Sequence, residues 1–305
     1  MIAAFLTTLL FAISAMCGHR TATKIGGVEA NFWRIALATL LLTIWANSCG
    51  TGFAGAPEWF MLSGLFGIGL GDSAYFQALP RLGSRRTVLL TQCLTAPFAA
   101  FIEWVWLGSK LNLPEIFCIA VILSGVAIAL APDDHLQIES RQLRLGVLAC
   151  ACSAVGGAIG AVLIRKAFAV AHAAGVYPDA GTTGYQRMLG GILFPAIALL
   201  VFKWRSAREH GGVFQEKTLA VSLAKWRLIW PWVLANALAG QTLGVTCMQW
   251  ALAQTNAAIV TAIIALTPIF LLPMTRFFEG EKIGIRSLVG ALVAVGGVIG
   301  LTFFR

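Results

Sequence analysis

The sequence predicts an all-α integral membrane protein, with ten transmembrane helices arranged as two inverted five-helix repeats. Three observations lead there. Of 305 residues, 58% are hydrophobic and 11% are Asp, Glu, Lys or Arg, against roughly 45–50% and roughly 25% in a soluble domain. So little charge cannot solvate a globular surface, which excludes a typical soluble enzyme, a disordered chain and a disulfide-stapled secreted domain. The mean hydropathy of +0.82 comes with 32 glycines, and glycine is commoner in membrane helices than in soluble ones. The apolar runs are also continuous and long. A helix needs about 20 apolar residues to cross the hydrocarbon core, whereas barrel strands would be shorter and alternate in polarity.

The first run, 2–22, lacks the basic leader and small-residue cleavage site of a signal peptide, so it reads as a span. Runs 28–47, 57–79, 87–107 and 113–131 complete a first set of five. A polar connection follows, and then runs 145–165, 182–202, 229–252, 256–277 and 284–303. The chain therefore divides into a first unit (1–131), a connecting loop (132–144) and a second unit (145–305). Segments 166–181 and 203–228 are too short to be domains.

The two sets repeat. LGSKL at 107–111 aligns with EGEKI at 279–283, and LSGVAIAL at 123–130 aligns with the VGGVIGL ending at Leu301, both 172 residues apart. Gly71 and Ala78–Leu79 align with Gly244 and Ala251–Leu252 at 173, and Pro97 with Pro268 at 171. Arg34 and Arg187 align at 153. Five is odd, so the second unit must sit inverted in the bilayer relative to the first. Inverted repeats mark secondary transporters, with the substrate site near the midplane between them.

The order of motifs resembles the EamA-type branch of the drug/metabolite transporter superfamily over almost the whole chain. Unit one shows Arg34, GLGDSAYFQAL (69–79), Pro97 and LSGV. Unit two shows Arg187, TLGVTCMQWAL (242–252), Pro268, GEK (280–282) and VGGVIG (295–300). Gly108-Ser109-Lys110 departs from the family's usual Gly-Glu, so that turn reads as a structural helix end. The resemblance implies transport of a small metabolite, such as an amino acid or related compound, with export as its direction. It also implies cytoplasmic termini, whereas the excess of Lys and Arg in the odd-numbered loops places those loops inside and the termini outside.

Asp72 is the foremost candidate for function. It lies deep in GLGDSAYFQAL between Gly69, Gly71 and Ser73, whose small size lets another helix or a ligand approach. An ionised group at mid-bilayer costs at least about 2.5–3.5 kcal/mol. Asp72 is therefore expected to bind a substrate amine, to exchange a proton, or to pair with a nearby Arg. Glu103 could assist it or meet a cation near the helix end. Gln92, Asn236 and Gln241 could line a cavity or bond between helices, and Tyr75 could add an aromatic wall. Asn236 and Gln241 are five apart and so do not share one strict face. Pro97 and Pro268, inside membrane helices, are candidate gates or hinges. Arg34 and Arg187 open the second helix of each unit, and their symmetry favours packing or interface anchoring over substrate contact.

No HExxH, G-x-S-x-G or Walker A pattern is present, and the cysteines form no paired Cys-x-x-Cys motif. No metal, cofactor, nucleic-acid partner or enzymatic activity is therefore expected. The partners are a small-molecule substrate and the lipid bilayer of the plasma (inner) membrane. One chain carries both units, so a monomer suffices and a dimer is equally compatible. The competing reading is an integral-membrane enzyme acting on lipid or prenyl substrates. Its sole polar cluster would be Asp133, Asp134 and His135 in the connecting loop.

Overall fold

The computed structural model describes residues 2–107, 112–130, 139–209, 216–254, 263–264, 266–278 and 284–304. It is all-helical over these residues. In chain order the helices are α1 (Ile2–Ile25), α2 (Gly27–Ser48), α3 (Pro57–Gly64), α4 (Ser73–Leu107), α5 (Leu113–Leu130) and α6 (Ser140–Ala173). They continue with α7 (Ala180–Glu209), α8 (Glu216–Asn236), α9 (Val245–Gln254), α10 (Thr267–Phe278) and α11 (Ile285–Phe304). Among the described residues, five helical stretches are long and apolar enough to cross a membrane: Ile2–Ile25, Gly27–Ser48, Ser140–Ala173, Ala180–Arg205 and Trp226–Ala251. Leu113–Gly125 and Leu288–Leu301 are shorter apolar helices. Part of the expected 132–144 connection is helical, because α6 begins at Ser140. The cluster Asp133, Asp134 and His135 lies outside the described residues, as do the turns at 108–110 and 280–282.

Two stretches widen from the α to the π hydrogen-bond pattern: Leu65–Asp72, joining α3 to α4, and Ala237–Gly244, joining α8 to α9. They begin 172 residues apart, the same spacing as the sequence repeat. π turns inside helices concentrate at functional sites. The predicted third and fourth spans meet at Gly83, whose φ of 79° turns the chain within α4. That region of backbone space is open to glycine and costly for other residues. Pro268 is a correction to the expected kink. It stands at the second residue of α10, where the missing N–H had no helical partner to lose.

Packing rests on small residues. α4 packs most extensively on α6, α5 on α11 and α2 on α7. Gly67 and Gly71 face Gly156 and Gly160, and both pairs have the glycine-x-x-x-glycine spacing that lets helix backbones touch. A Cβ on Gly156 would lie 2.8 Å from the Phe66 carbonyl oxygen, and one on Gly160 would lie 3.0 Å from the Gly67 Cα. Where α3 crosses α7, a Cβ on Gly64 would strike the Arg187 carbonyl oxygen, and one on Gly190 would strike that of Met61. Gly125 of α5 seats against the Ala294 backbone, and Gly297 of α11 seats against Ile122. These two glycines are again 172 apart.

Several buried hydroxyls bond back to their own helix, and Thr8 also reaches the Ile263 carbonyl at 3.0 Å. Thr7 and Thr8 donate to the carbonyls of Ala3 and Ala4, four residues back, at 2.9 and 3.0 Å, a common resolution for polar groups in apolar helices. Asp179 caps α7. Its carboxylate accepts from the Thr182 N–H at 3.0 Å, Trp45 Nε1 at 3.1 Å and the Thr51 N–H at 3.3 Å, and also from the Thr182 hydroxyl. Partial burial alone would raise the Asp179 pKa. The hydrogen bonds from Thr182, Trp45 and Thr51 outweigh that and hold it below the usual carboxylate range.

Gly64→Ala and Gly190→Ala are expected to lower the thermal stability of the purified protein by about 1–3 kcal/mol each. Gly296→Ala, with open space at its Cβ position, should change it little. Asp179→Ala should cost about 1 kcal/mol at neutral pH. The carboxylate's contribution is complete above the unfolded-state value of about 3.9 and fades as pH falls through the lowered folded-state value. Melting curves recorded against pH should therefore converge for wild type and variant at strongly acidic pH.

Candidate functional site

Asp72 ends the first π segment, where Gly71 has brought the backbone against α6. Its Oδ2 accepts two hydrogen bonds, from Arg34 Nη2 of α2 at 2.8 Å and from Gln241 Nε2 of the second π segment at 2.6 Å. The Arg34 side chain is 5% exposed and that of Asp72 is 24% exposed, so the junction is not sealed on the Asp72 side. Arg34 Nη2 also donates to Asn31 Oδ1 at 2.9 Å, and Asn31 Nδ2 donates to Ser73 Oγ at 3.1 Å. The guanidinium lies over the Phe76 ring, 4.5 Å from its centre. It is thus held by a carboxylate, an amide oxygen and an aromatic face. Of the two roles expected of Arg34, packing and interface anchoring, the second does not hold: it is a buried ion-pair partner, the pairing expected as one alternative for Asp72.

On the other side of the junction, Ser14 Oγ of α1 donates to Asn236 Oδ1 at 2.7 Å. Gly240 lets these groups converge, since a Cβ there would strike Ser14 Oγ and lie 3.6 Å from Arg34 Nη1. Asn236 and Gln241 both face the junction despite their five-residue spacing. The π pattern of Ala237–Gly244 bonds residues five apart, so it turns both inward where a regular α-helix would separate them.

Arg187 of α7 enters from the second half of the chain. It is 6% exposed, and its Nε donates to Ser63 Oγ at 3.2 Å. Its Nη2 stands 3.6 Å from where a Cβ on Gly67 would be. Arg187 and Asp72 interact electrostatically without direct pairing. The junction therefore holds two guanidinium groups and one carboxylate. Four of its buried polar atoms have no hydrogen-bond partner: Arg34 Nε, Arg187 Nη1, Asn236 Nδ2 and Gln241 Oε1. Three of the four are donors.

The other residues singled out in the sequence stand outside the hydrogen bonds of the junction. Tyr75 packs against the cluster of Met16, Val88 and Leu271 and meets Phe76, the ring under Arg34, edge-on at 5.9 Å between ring centres. Gln92 is half-buried on the second leg of α4, past the Gly83 bend, and takes no part in the hydrogen bonds to Asp72. Pro97 is half-buried within α4. Glu103 belongs to the same helix, and its side chain lies outside the described residues. The sequence reading missed Ser14, Asn31 and Ser63 as partners of the junction. Their signal was weak, because a single hydroxyl or amide in an apolar run usually bonds its own backbone.

An apolar cavity of about 710 Å³ adjoins the junction, lined by Phe66, Leu70 and Ser73 of the third span, Val155 and Gly156 of α6, and Phe194 of α7. Ser73 is shared, facing the cavity while accepting from Asn31. Among the described residues no group of three or more His, Cys, Asp or Glu side chains is placed to hold a metal.

Long apolar helices crossing at glycines, with ionised groups held between them, define a multi-pass protein of the plasma membrane. The chain belongs to the EamA-like transporter family, which matches residues 1–131 and 144–303. Among curated proteins none matches the chain. Of solved structures, 28 chains are similar to it. One, described only as "Crystal structure of protein", superposes with a TM-score of 0.62 at 17% identity, covering 99% of this chain and 96% of that one. At that identity the likeness concerns the fold.

Asp72→Asn leaves Arg34 buried without its counter-ion and is expected to cost about 3–5 kcal/mol of stability. Arg34→Gln in the same background should recover part of that loss, giving a coupling energy of about 1–3 kcal/mol in a double-mutant cycle. Thermal melts of the four proteins in one detergent measure it.

Proposed function

We propose that the protein is a secondary transporter that carries a small organic metabolite, an amino acid or related compound, across the plasma membrane by alternating access. In this reading ten spans form two inverted five-helix units, 1–131 and 145–305, that rock about the Asp72 junction, and export is the direction. The observation that carries the reading is the hydrogen bond from Gln241 to Asp72. It ties the two halves of the chain together with an ionised group in the interior of the bundle. Such groups are costly in a bilayer and line substrate or ion pathways. Further support comes from the π segments, which recur at the repeat spacing on both sides of that bond. The equivalent glycines Gly125 and Gly297 add to it, each seating the other's helix.

The structure bears on the role of Asp72. A cationic substrate group would have to displace Arg34, which is tethered at 2.8 Å. Exchange of a proton on Asp72, which loosens its hold on Arg34 and Gln241, is the role we assign. Pro97 and the head of α10 at Pro268 are the hinges proposed for the rocking step. ATP is not required, since the gradient of a coupled proton supplies the driving force.

Uptake of labelled amino acids and metabolites into proteoliposomes, with and without a pH gradient, tests this reading. The expected result is saturable uptake that responds to the gradient in wild type and loses that response in Asp72→Asn. Uptake and pH response unchanged in a folded Asp72→Asn protein would remove the acid from the mechanism.

A further inference from the structure

Resting on the transporter reading, we infer that the junction binds the anionic group of its substrate, a carboxylate, at Arg187. Arg34, Asp72 and Arg187 sum to one uncompensated positive charge in the interior of the bundle. Asp72 pairs directly with Arg34 and reaches Arg187 only at longer range, so its one negative charge balances one of the two guanidinium charges. Arg187 is 6% exposed and its Nη1 has no hydrogen-bond partner. The other unpartnered donors, Arg34 Nε and Asn236 Nδ2, belong to the same junction. A buried site with surplus donors and surplus positive charge is complementary to an acceptor that carries one negative charge. Arginine's planar fork suits a carboxylate, which accepts two parallel hydrogen bonds.

This assignment separates substrates by whether they present a carboxylate. A carboxylate, alone or in a zwitterion, pairs with Arg187, an uncharged analogue lacking it leaves Arg187 unpaired, and a cation lacking it adds to the repulsion. The accessible quarter of the Asp72 side chain leaves the junction open to an incoming group. The cavity beside Ser73, lined by Phe66, Leu70, Val155 and Phe194, is large enough for an apolar body attached to that group.

The test uses the purified full-length protein in detergent, with formate as the bare carboxylate and formamide as its neutral counterpart. Formate should raise the melting temperature of wild type by a few degrees, and formamide should not. In Arg187→Gln, the formate concentration giving half the shift should rise by about tenfold or more. Screening by the added salt is common to both proteins, so the difference between them reports the site. Equal shifts in wild type and Arg187→Gln would overturn the assignment. If Arg187→Gln does not accumulate, the wild-type comparison decides, and equal effects of formate and formamide overturn it. Proteoliposome uptake of glutamine and of its C-terminal amide, which carries no carboxylate, forms the second arm, because the two match in size. Glutamine carried in preference supports the assignment, and the amide carried as well as or better than glutamine overturns it. An Arg187-dependent formate effect without uptake of any compound leaves the anion site standing and counts against the transport reading instead.

Discussion

The Asp72 carboxylate, held in the interior of a helical membrane bundle, governs how its surroundings are built. Asp72 cannot stay ionised among apolar helices without partners, and its partners come from both halves of the chain. Arg34 approaches from α2 and Gln241 from the second π segment, with Asn31 and Phe76 holding Arg34 in turn. Replacing so polar a cluster with packed apolar side chains would often leave a protein as stable or more so. In the alternating-access reading proposed above, such a cluster serves a junction that opens and closes.

Glycine makes the junction geometrically possible. Gly67 and Gly71 facing Gly156 and Gly160 bring the backbones of the third span and α6 into contact, which carries Asp72 into the bundle. Gly64 does the same for the third span and α7, placing Arg187 beside Gly67. Gly240 leaves the space in which Ser14, Arg34 and Asn236 meet. In a bilayer, where apolar burial between helices gains little over lipid contact, such close packing and interhelical hydrogen bonds are the forces available.

Much of this was legible in the sequence. Continuous apolar runs announced an all-helical membrane chain, the 172-residue motif spacing recurs in the two π segments, and the cost of burying charge drew attention to Asp72. The partner of Asp72 was harder to read. Arg34 lies 38 residues away in the chain, and its symmetry with Arg187 suggested a shared packing role, whereas the two arginines have different partners. The geometry of the second half was misread for a physical reason. Regular helical periodicity places Asn236 and Gln241 on different faces, and nothing in the composition of ALAGQTLG announces a π turn. Proline identity likewise does not distinguish a helix interior, as at Pro97, from a helix start, as at Pro268.

If the Asp72 junction clamps the two π segments to each other, their stabilities must be linked across the 172 residues that separate them. Hydrogen–deuterium exchange of the full-length protein in lipid nanodiscs measures that link. Amides of Leu65–Asp72 and of Ala237–Gly244 should be protected in wild type and should exchange faster together in Asp72→Asn, while the α5–α11 contact stays unchanged. Faster exchange in the first segment alone, with the second untouched, would contradict the account.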